Sequence, residues 1–252
     1  MCCRYYILPK AVEWDPIREE AEHARVMRRF RETGAELVAS GEARPTDVVP
    51  VLATDREGGK SVFPMRWGFR LEGAKPTLLI NARAETAAQK PTFRDAWAAH
   101  RCAVPASGYY EWKRAASVGA GITSPARRGG GPASRPVEGC RPPEGEGPEM
   151  QIAKCKVQNE GAADGKRSAS IKYAVSDPDT PIIWLCGLYR IEQGLPVFVI
   201  LTREPGAELG AIHDRMPLIL PAEAARAWVD PKQRPEELLP FAVTQLKALK
   251  AG

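Results

Sequence analysis

The sequence predicts an α+β fold built on a curved, mostly antiparallel, barrel-like sheet with a few short helices. Two features predict it. Short runs rich in Val, Ile, Tyr and Phe recur along the chain with turn residues between them. Only three or four short stretches carry helical signals, and they do not alternate strictly with the strands, which argues against a parallel α/β sheet. The chain has 252 residues, 44% of them hydrophobic, enough to bury one large core.

In chain order, Cys2 to Leu8 reads as a first strand. Asp15-Pro16 opens a helix, because Asp caps a helix N-terminus well and Pro suits its first position. Ile17, Ala21, Ala24, Met27 and Phe30 carry the helical spacing to a stop at Gly34. Gly41 to Pro45 reads as a turn, Val48 to Ala53 as a strand, and Asp55 to Lys60 as a hairpin turn. Strands follow at Ser61 to Phe69 and Leu78 to Ala82, and Thr92 caps a short helix through Trp97. Arg101 to Ser107 and Tyr109 to Lys113 read as paired strands around Gly108.

From Arg114 to Lys172 the chain becomes rich in Gly and Pro without a period, as in Arg127-Arg-Gly-Gly-Gly-Pro132. That composition predicts a disordered insertion, 114–172, within one domain spanning 2–246. Strands resume at Ile182 to Ile191 and Pro196 to Thr202. Pro221 to Val229 is a short helix, and Phe241 to Leu246 a final strand.

The net charge of +5 and pI near 8.9 suit a polyanionic partner without requiring one. No apolar run approaches the roughly 20 residues that cross a bilayer, and the N-terminus lacks a basic-then-apolar signal pattern. The expected setting is cytoplasmic, or nuclear in a eukaryote, where thiols stay reduced. Six cysteines and three histidines are scattered without a Cys-x-x-Cys, so neither a metal nor another cofactor is expected.

Four polar features among apolar strand residues need a reason. Cys2 follows the initiator methionine. With Met1 removed, it would carry an α-amine and a thiol on adjacent carbons. Such a 1,2-aminothiol condenses with an aldehyde to an imine, then closes to a thiazolidine. The amine, with a pKa near ~8, is partly neutral at pH 7, and the thiol, at roughly 8.5, ionises with modest help. Glu111 lies between aromatics in Gly108-Tyr-Tyr-Glu-Trp-Lys113, where partial desolvation suits a proton carrier. Asn81 and Arg83 share one face of their strand. His213 occupies a turn with Asp214, Arg215 and Pro217. Arg4, Arg83 and Arg215 can pair with phosphates. For each feature the plain alternative is structural: a strand residue facing water, a satisfied histidine, or a surface ion pair.

Five motifs occur in order: an N-terminal Met-Cys, Pro64-Met-Arg-Trp-Gly68, Asn81-Ala-Arg-Ala-Glu-Thr86, Arg101-Cys-Ala-Val-Pro-Ala-Ser-Gly-Tyr-Tyr-Glu-Trp112 and Ile212-His-Asp-Arg-Met-Pro217. Together the chain resembles the SRAP family, the SOS response-associated peptidase domain that cross-links to abasic sites in single-stranded DNA. The resemblance implies that Cys2 is the nucleophile and that Asn81, Glu111 and His213 complete the active site. It implies that Arg4, Trp67, Arg83 and Arg215 line a DNA groove, with Pro45 near a turn that wedges the strand and Thr202 behind the site. The partner so implied is single-stranded DNA containing abasic sites, bound by a monomer. The sequence departs from the family pattern in Cys3, where Gly is usual, in Glu42-Ala43-Arg44, and in the length of the insertion.

Two other readings use the same residues. A thiol peptidase, acting on peptides in general or only on its own Met1, would take Cys2 as nucleophile and His213 as base. A non-catalytic single-stranded DNA-binding module would need Arg83 and Trp67 and dispense with Cys2.

Overall fold

The computed structural model describes residues 3–8, 13–73, 76–114 and 170–251. Cys2 and the greater part of the Gly- and Pro-rich segment, 115–169, lie outside the described residues. The segment's predicted edges are strand, since Arg114 and Ser170 pair directly in adjacent strands.

In chain order, β1 (Arg4–Ile7) is followed by α1 (Trp14–His23), α2 (Arg25–Glu32) and β2 (Gly41–Ala43). Next come β3 (Val48–Thr54), β4 (Lys60–Trp67), β5 (Phe69–Leu71), β6 (Thr77–Leu79) and β7 (Asn81–Arg83), then α3 (Ala84–Ala87) and α4 (Arg94–Ala99). β8 (Arg101–Ala106), β9 (Gly108–Arg114), β10 (Ser170–Ser176), β11 (Ile183–Glu192) and β12 (Leu195–Arg203) form the second half of the sheets. α5 (Ala207–Gly210), β13 (Met216–Pro217), β14 (Ile219–Leu220), α6 (Ala222–Trp228), α7 (Pro235–Leu238) and β15 (Lys247–Lys250) complete the chain.

The order β12-β4-β3-β8-β11 closes on itself, because β11 also pairs with β12. The result is a five-stranded barrel in which only the β4–β12 contact is parallel. Closure removes the open edges that a short-stranded sheet would otherwise expose. Alternate residues of each strand fill the lumen, among them Val49, Val51, Met65, Trp67, Val104, Leu185, Phe198 and Ile200. The opposite faces, with Ala103, Cys186, Val199 and Leu201, pack under α4 and α6. A second, antiparallel sheet has the order β15-β10-β9-β1-β2. The fold class is therefore as the sequence predicts.

Several element assignments are corrected. Arg101–Ala106 and Gly108–Arg114 do not pair with each other. β8 belongs to the barrel and β9 to the second sheet, and the chain changes sheets at Ser107. Gly108 is needed there because a Cβ would lie 2.3 Å from the Tyr6 hydroxyl oxygen. The long N-terminal helix is two helices broken at Ala24, whose ψ of 135° is extended. The break lets Ala21 face the core outside the barrel while Met27 and Phe30 join Val48 and Leu195. Gly34, at φ +75°, ends the second helix as expected. Gly41–Ala43 is an edge strand paired with β1 rather than a turn. The last strand is Lys247–Lys250, beyond the predicted Phe241 to Leu246.

Arg101 ties the helices to the barrel. It is 1% exposed, and its guanidinium donates to the carbonyls of Trp97, Ala98, Trp228, Asp230 and Gln233. That arrangement satisfies a buried cation entirely with main-chain dipoles and anchors the C-terminal turns of α4 and α6.

Candidate active site

Glu111 enters the site from β9. Alternation along β9 turns Tyr109 and Glu111 inward and Tyr110 and Trp112 outward, and Glu111 is only 4% exposed. His213 comes from a turn that leads into the barrel's sheet at β13. It lies in the turn between α5 and β13, where its N–H donates to the Leu209 carbonyl at 3.0 Å. β13 in turn pairs with the end of β12, Thr202 opposite Pro217. Nε2 of His213 thus faces Oε1 of Glu111 at 3.9 Å across the junction of the two sheets.

The other ring nitrogen has two neighbours. The Arg215 backbone N–H donates to Nδ1 at 3.0 Å, while a carboxylate oxygen of Asp214 lies 2.7 Å from the same atom. Both cannot hold one nitrogen, since an N–H requires a lone pair there and a carboxylate requires a proton. The main-chain donor is fixed, whereas the Asp214 side chain is 82% exposed and free to turn. With the main-chain N–H at Nδ1, the tautomer that satisfies it places the ring proton on Nε2, the atom that faces Glu111.

Arg215 supports this turn. Its guanidinium forks onto both carboxylate oxygens of Glu85 at 2.9 and 2.7 Å and also donates to the Thr202 carbonyl at 2.7 Å. Burial opposes ionisation of Glu85, but the Arg215 hydrogen bonds, its own backbone N–H and the charges of Arg215 and Arg83 outweigh it, holding the carboxyl below its ordinary value. Thr202 is buried, and its hydroxyl donates to the Ala82 carbonyl at 3.3 Å. Asn81, Ala82 and Arg83 run parallel beside Ile200, Leu201 and Thr202. Asn81 is half-buried and Arg83 exposed.

The N-terminal strand leads to the same place. Arg4 lies opposite Tyr110 and Tyr5 opposite Tyr109, so the antiparallel register carries the chain before β1 towards Glu111. Cys3 is half-buried and packs on the lumen core.

The structure therefore connects Glu111, His213, Arg215, Thr202 and Glu85 in one chain of contacts, with Asn81 and Arg83 on the adjoining strand. Arg4 lies on the outer face of the second sheet, paired with Glu42 at 2.8 Å and over the Trp112 ring. Pro45 is half-buried in a turn pinned to β4 by the bonds Thr46 N–H to Trp67 O and Trp67 N–H to Asp47 O. Arg215, expected on an open DNA surface, is 10% exposed at its side chain and engaged with Glu85, behind His213.

Trp67 is corrected outright. It is 0% exposed, stacked on Phe198 and packed against Tyr5, and its Nε1–H donates to the Ile80 carbonyl at 2.9 Å. No base can lie on its face. The alternation in β4 sends Phe63, Met65 and Trp67 together into the lumen. Glu85 stands out in the sequence with Asn81 and Arg83, but neither it nor Asp214 is among the expected site residues. Their signal was adjacency to Arg83 and His213 in motifs already noted. Among the described residues no cluster of three or more His, Cys, Asp or Glu could hold a metal, and no helix is long and apolar enough to cross a membrane.

A closed barrel joined to a second sheet, with a His–Glu pair at their junction, defines the class of protein. The particular family follows from its sequence pattern. The pattern of the SOS response associated peptidase (SRAP) family matches residues 1–124 and 159–251, so this chain belongs to that family. Abasic site processing protein YoaM of Bacillus subtilis is 26% identical over 231 residues, covering 84% of this chain and 80% of its own. Abasic site processing protein YobE of the same organism is 28% identical over 236 residues, covering 86% and 85%. The fold matches a phage-related protein from Bordetella bronchiseptica with a TM-score of 0.61 at 20% identity, covering 99% of this chain and 94% of that one.

Proposed function

We propose that this protein recognises abasic sites in single-stranded DNA and joins them covalently through Cys2, after removal of Met1. The observation that carries the reading is the Glu111–His213 pair at 3.9 Å, at the place towards which the N-terminal strand runs. The relatives' names, abasic site processing proteins, supply the substrate class.

The chemistry balances without a cofactor. An abasic deoxyribose exchanges between a closed hemiacetal and an open aldehyde. His213 Nε2–H is the proton source for the ring oxygen as the hemiacetal opens, and the C1′ hydroxyl gives up its proton. The neutral Cys2 amine adds to C1′, and one water leaves to give an imine. Glu111 steers the amine and carries protons in that step. The Cys2 thiolate then attacks the imine carbon, a C–S bond forms, and the nitrogen takes a proton. The product is a thiazolidine, and the net loss is one water. Ring closure within one residue benefits from a high effective molarity. Asn81 holds the sugar or the Cys2 backbone, and Arg4 and Arg83 offer cations to phosphates, which makes binding salt-sensitive and largely sequence-independent.

A denaturing gel with an abasic single-stranded oligonucleotide tests the reading. Wild type gives a shifted band and Cys2→Ala gives none. Full cross-linking by Cys2→Ala contradicts it, and retention on a native gel alone marks a binding module.

A further inference from the structure

The end of the barrel away from the Glu111–His213 pair is open. A cavity of about 910 Å³ lies at this mouth, between the ends of β3 and β11 and the starts of β4, β8 and β12. Its apolar wall is Phe63, Met65, Tyr189 and Pro196. Phe198 and Cys102, further along β12 and β8, are fully buried in the lumen core. From Pro196 to Thr202 along β12 is about 20 Å at ~3.3 Å per residue, so this cavity and the active site occupy opposite mouths of the barrel.

The rim is cationic. Arg25, Arg28 and Arg29 come from α2, and Arg56 comes from the β3–β4 turn on the other side. Positions 25, 28 and 29 share one helix face, so three like charges are held together. Among the described residues none of Arg25, Arg28 and Arg56 has an ion-pair partner. Arg29 is fixed by donating to the Gly194 carbonyl at 2.7 Å. Of the two acids at the rim, Asp55 points its carboxylate into its own turn, accepting from the Glu57 and Gly59 N–H groups. His100 stands edge-on to Tyr189 at the entrance, ring centroids 5.1 Å apart.

An open, partly aromatic cavity of this size at a barrel mouth has the form of a small-molecule site. Guanidinium groups on two sides match the fork geometry of phosphates. We propose that the far mouth of the barrel binds a nucleoside di- or triphosphate. Its base enters against Tyr189 and Phe63, and its phosphates bridge Arg25 and Arg28 to Arg56. A single strand of nucleic acid is the competing occupant, and the oligonucleotide arm of the test reads it. The proposal does not depend on the chemistry at Cys2.

Titration calorimetry of the full chain with adenosine diphosphate, inorganic pyrophosphate and an unmodified single-stranded oligonucleotide tests it. Saturable binding of the diphosphate is expected, with pyrophosphate weaker by about tenfold because it lacks the ring. The exposed double variant Arg25→Glu/Arg28→Glu should weaken binding by about tenfold or more with an unchanged melting temperature and unchanged cross-linking to an abasic oligonucleotide. Absence of saturable binding, binding of the oligonucleotide alone, or equal binding by the double variant overturns the proposal.

Discussion

His213 Nε2 and Glu111 Oε1 face each other at 3.9 Å although one lies in the turn before β13 and the other on β9 of the second sheet, 102 residues apart in the chain. The distance is longer than a hydrogen bond. It leaves room for the pair to tighten on a bound substrate, as proton-transfer groups often do. Glu111→Gln keeps shape and removes the carrier, and His213→Ala removes the acid. Each should slow cross-linking by about 10²–10⁴-fold while leaving affinity for intact single-stranded DNA within a few-fold. Single-turnover gels at saturating oligonucleotide give the rates. Unchanged rates in both variants would remove these residues from the chemistry.

The Glu85–Arg215 fork predicts a pH signature. The folded carboxyl of Glu85 titrates below its ordinary value of 4.5. A depressed folded value contributes stability that is present above about pH 4.5 and is lost as pH falls through the lower folded value. Glu85 is 46% exposed at its side chain, so the contribution is discounted to about 1 kcal/mol or less. Glu85→Gln should lower the urea midpoint slightly at pH 7, and the difference from wild type should shrink as pH falls below about 4.5. It should also slow cross-linking at pH 7, by freeing the turn that aims His213.

Trp67 separates a core role from a DNA-binding one. Trp67→Ala empties the space between Phe198 and Tyr5 and should cost about 3–5 kcal/mol. Thermal unfolding of the variant should show a large fall in melting temperature. A variant as stable as wild type, but with single-stranded DNA affinity reduced by tenfold, would contradict the buried placement.

Cys102 and Cys186 predict silence. Both are 0% exposed, and burial pushes both thiols far above their ordinary value. Native iodoacetamide labelling followed by peptide mapping should leave both unmodified, and both should label after denaturation.

The barrel-like sheet was legible in the sequence as many short apolar, strand-like runs separated by turn residues, with few helical stretches among them. The sheet switch at Ser107 was not legible. Arg101–Ser107, Gly108 and Tyr109–Lys113 look like a hairpin locally, and only the long-range partners of β8 and β9 separate them. Trp67 was misplaced for a related reason, since a large aromatic beside Gly68 reads equally as a platform or as core until its neighbours are known. The helix break at Ala24 was hidden because Ala21, Met27 and Phe30 keep helical spacing across it. Glu111 and His213 stood out as ionisable groups in apolar or turn surroundings. Their approach was invisible, as was the fork of Arg215 onto Glu85, because both contacts bridge separate motifs.

The most direct test of the covalent claim is the intact mass of the purified protein, before and after incubation with an abasic single-stranded oligonucleotide. Loss of Met1, followed by a gain equal to the oligonucleotide minus one water, is the predicted result. Retention of Met1 with no adduct would contradict it.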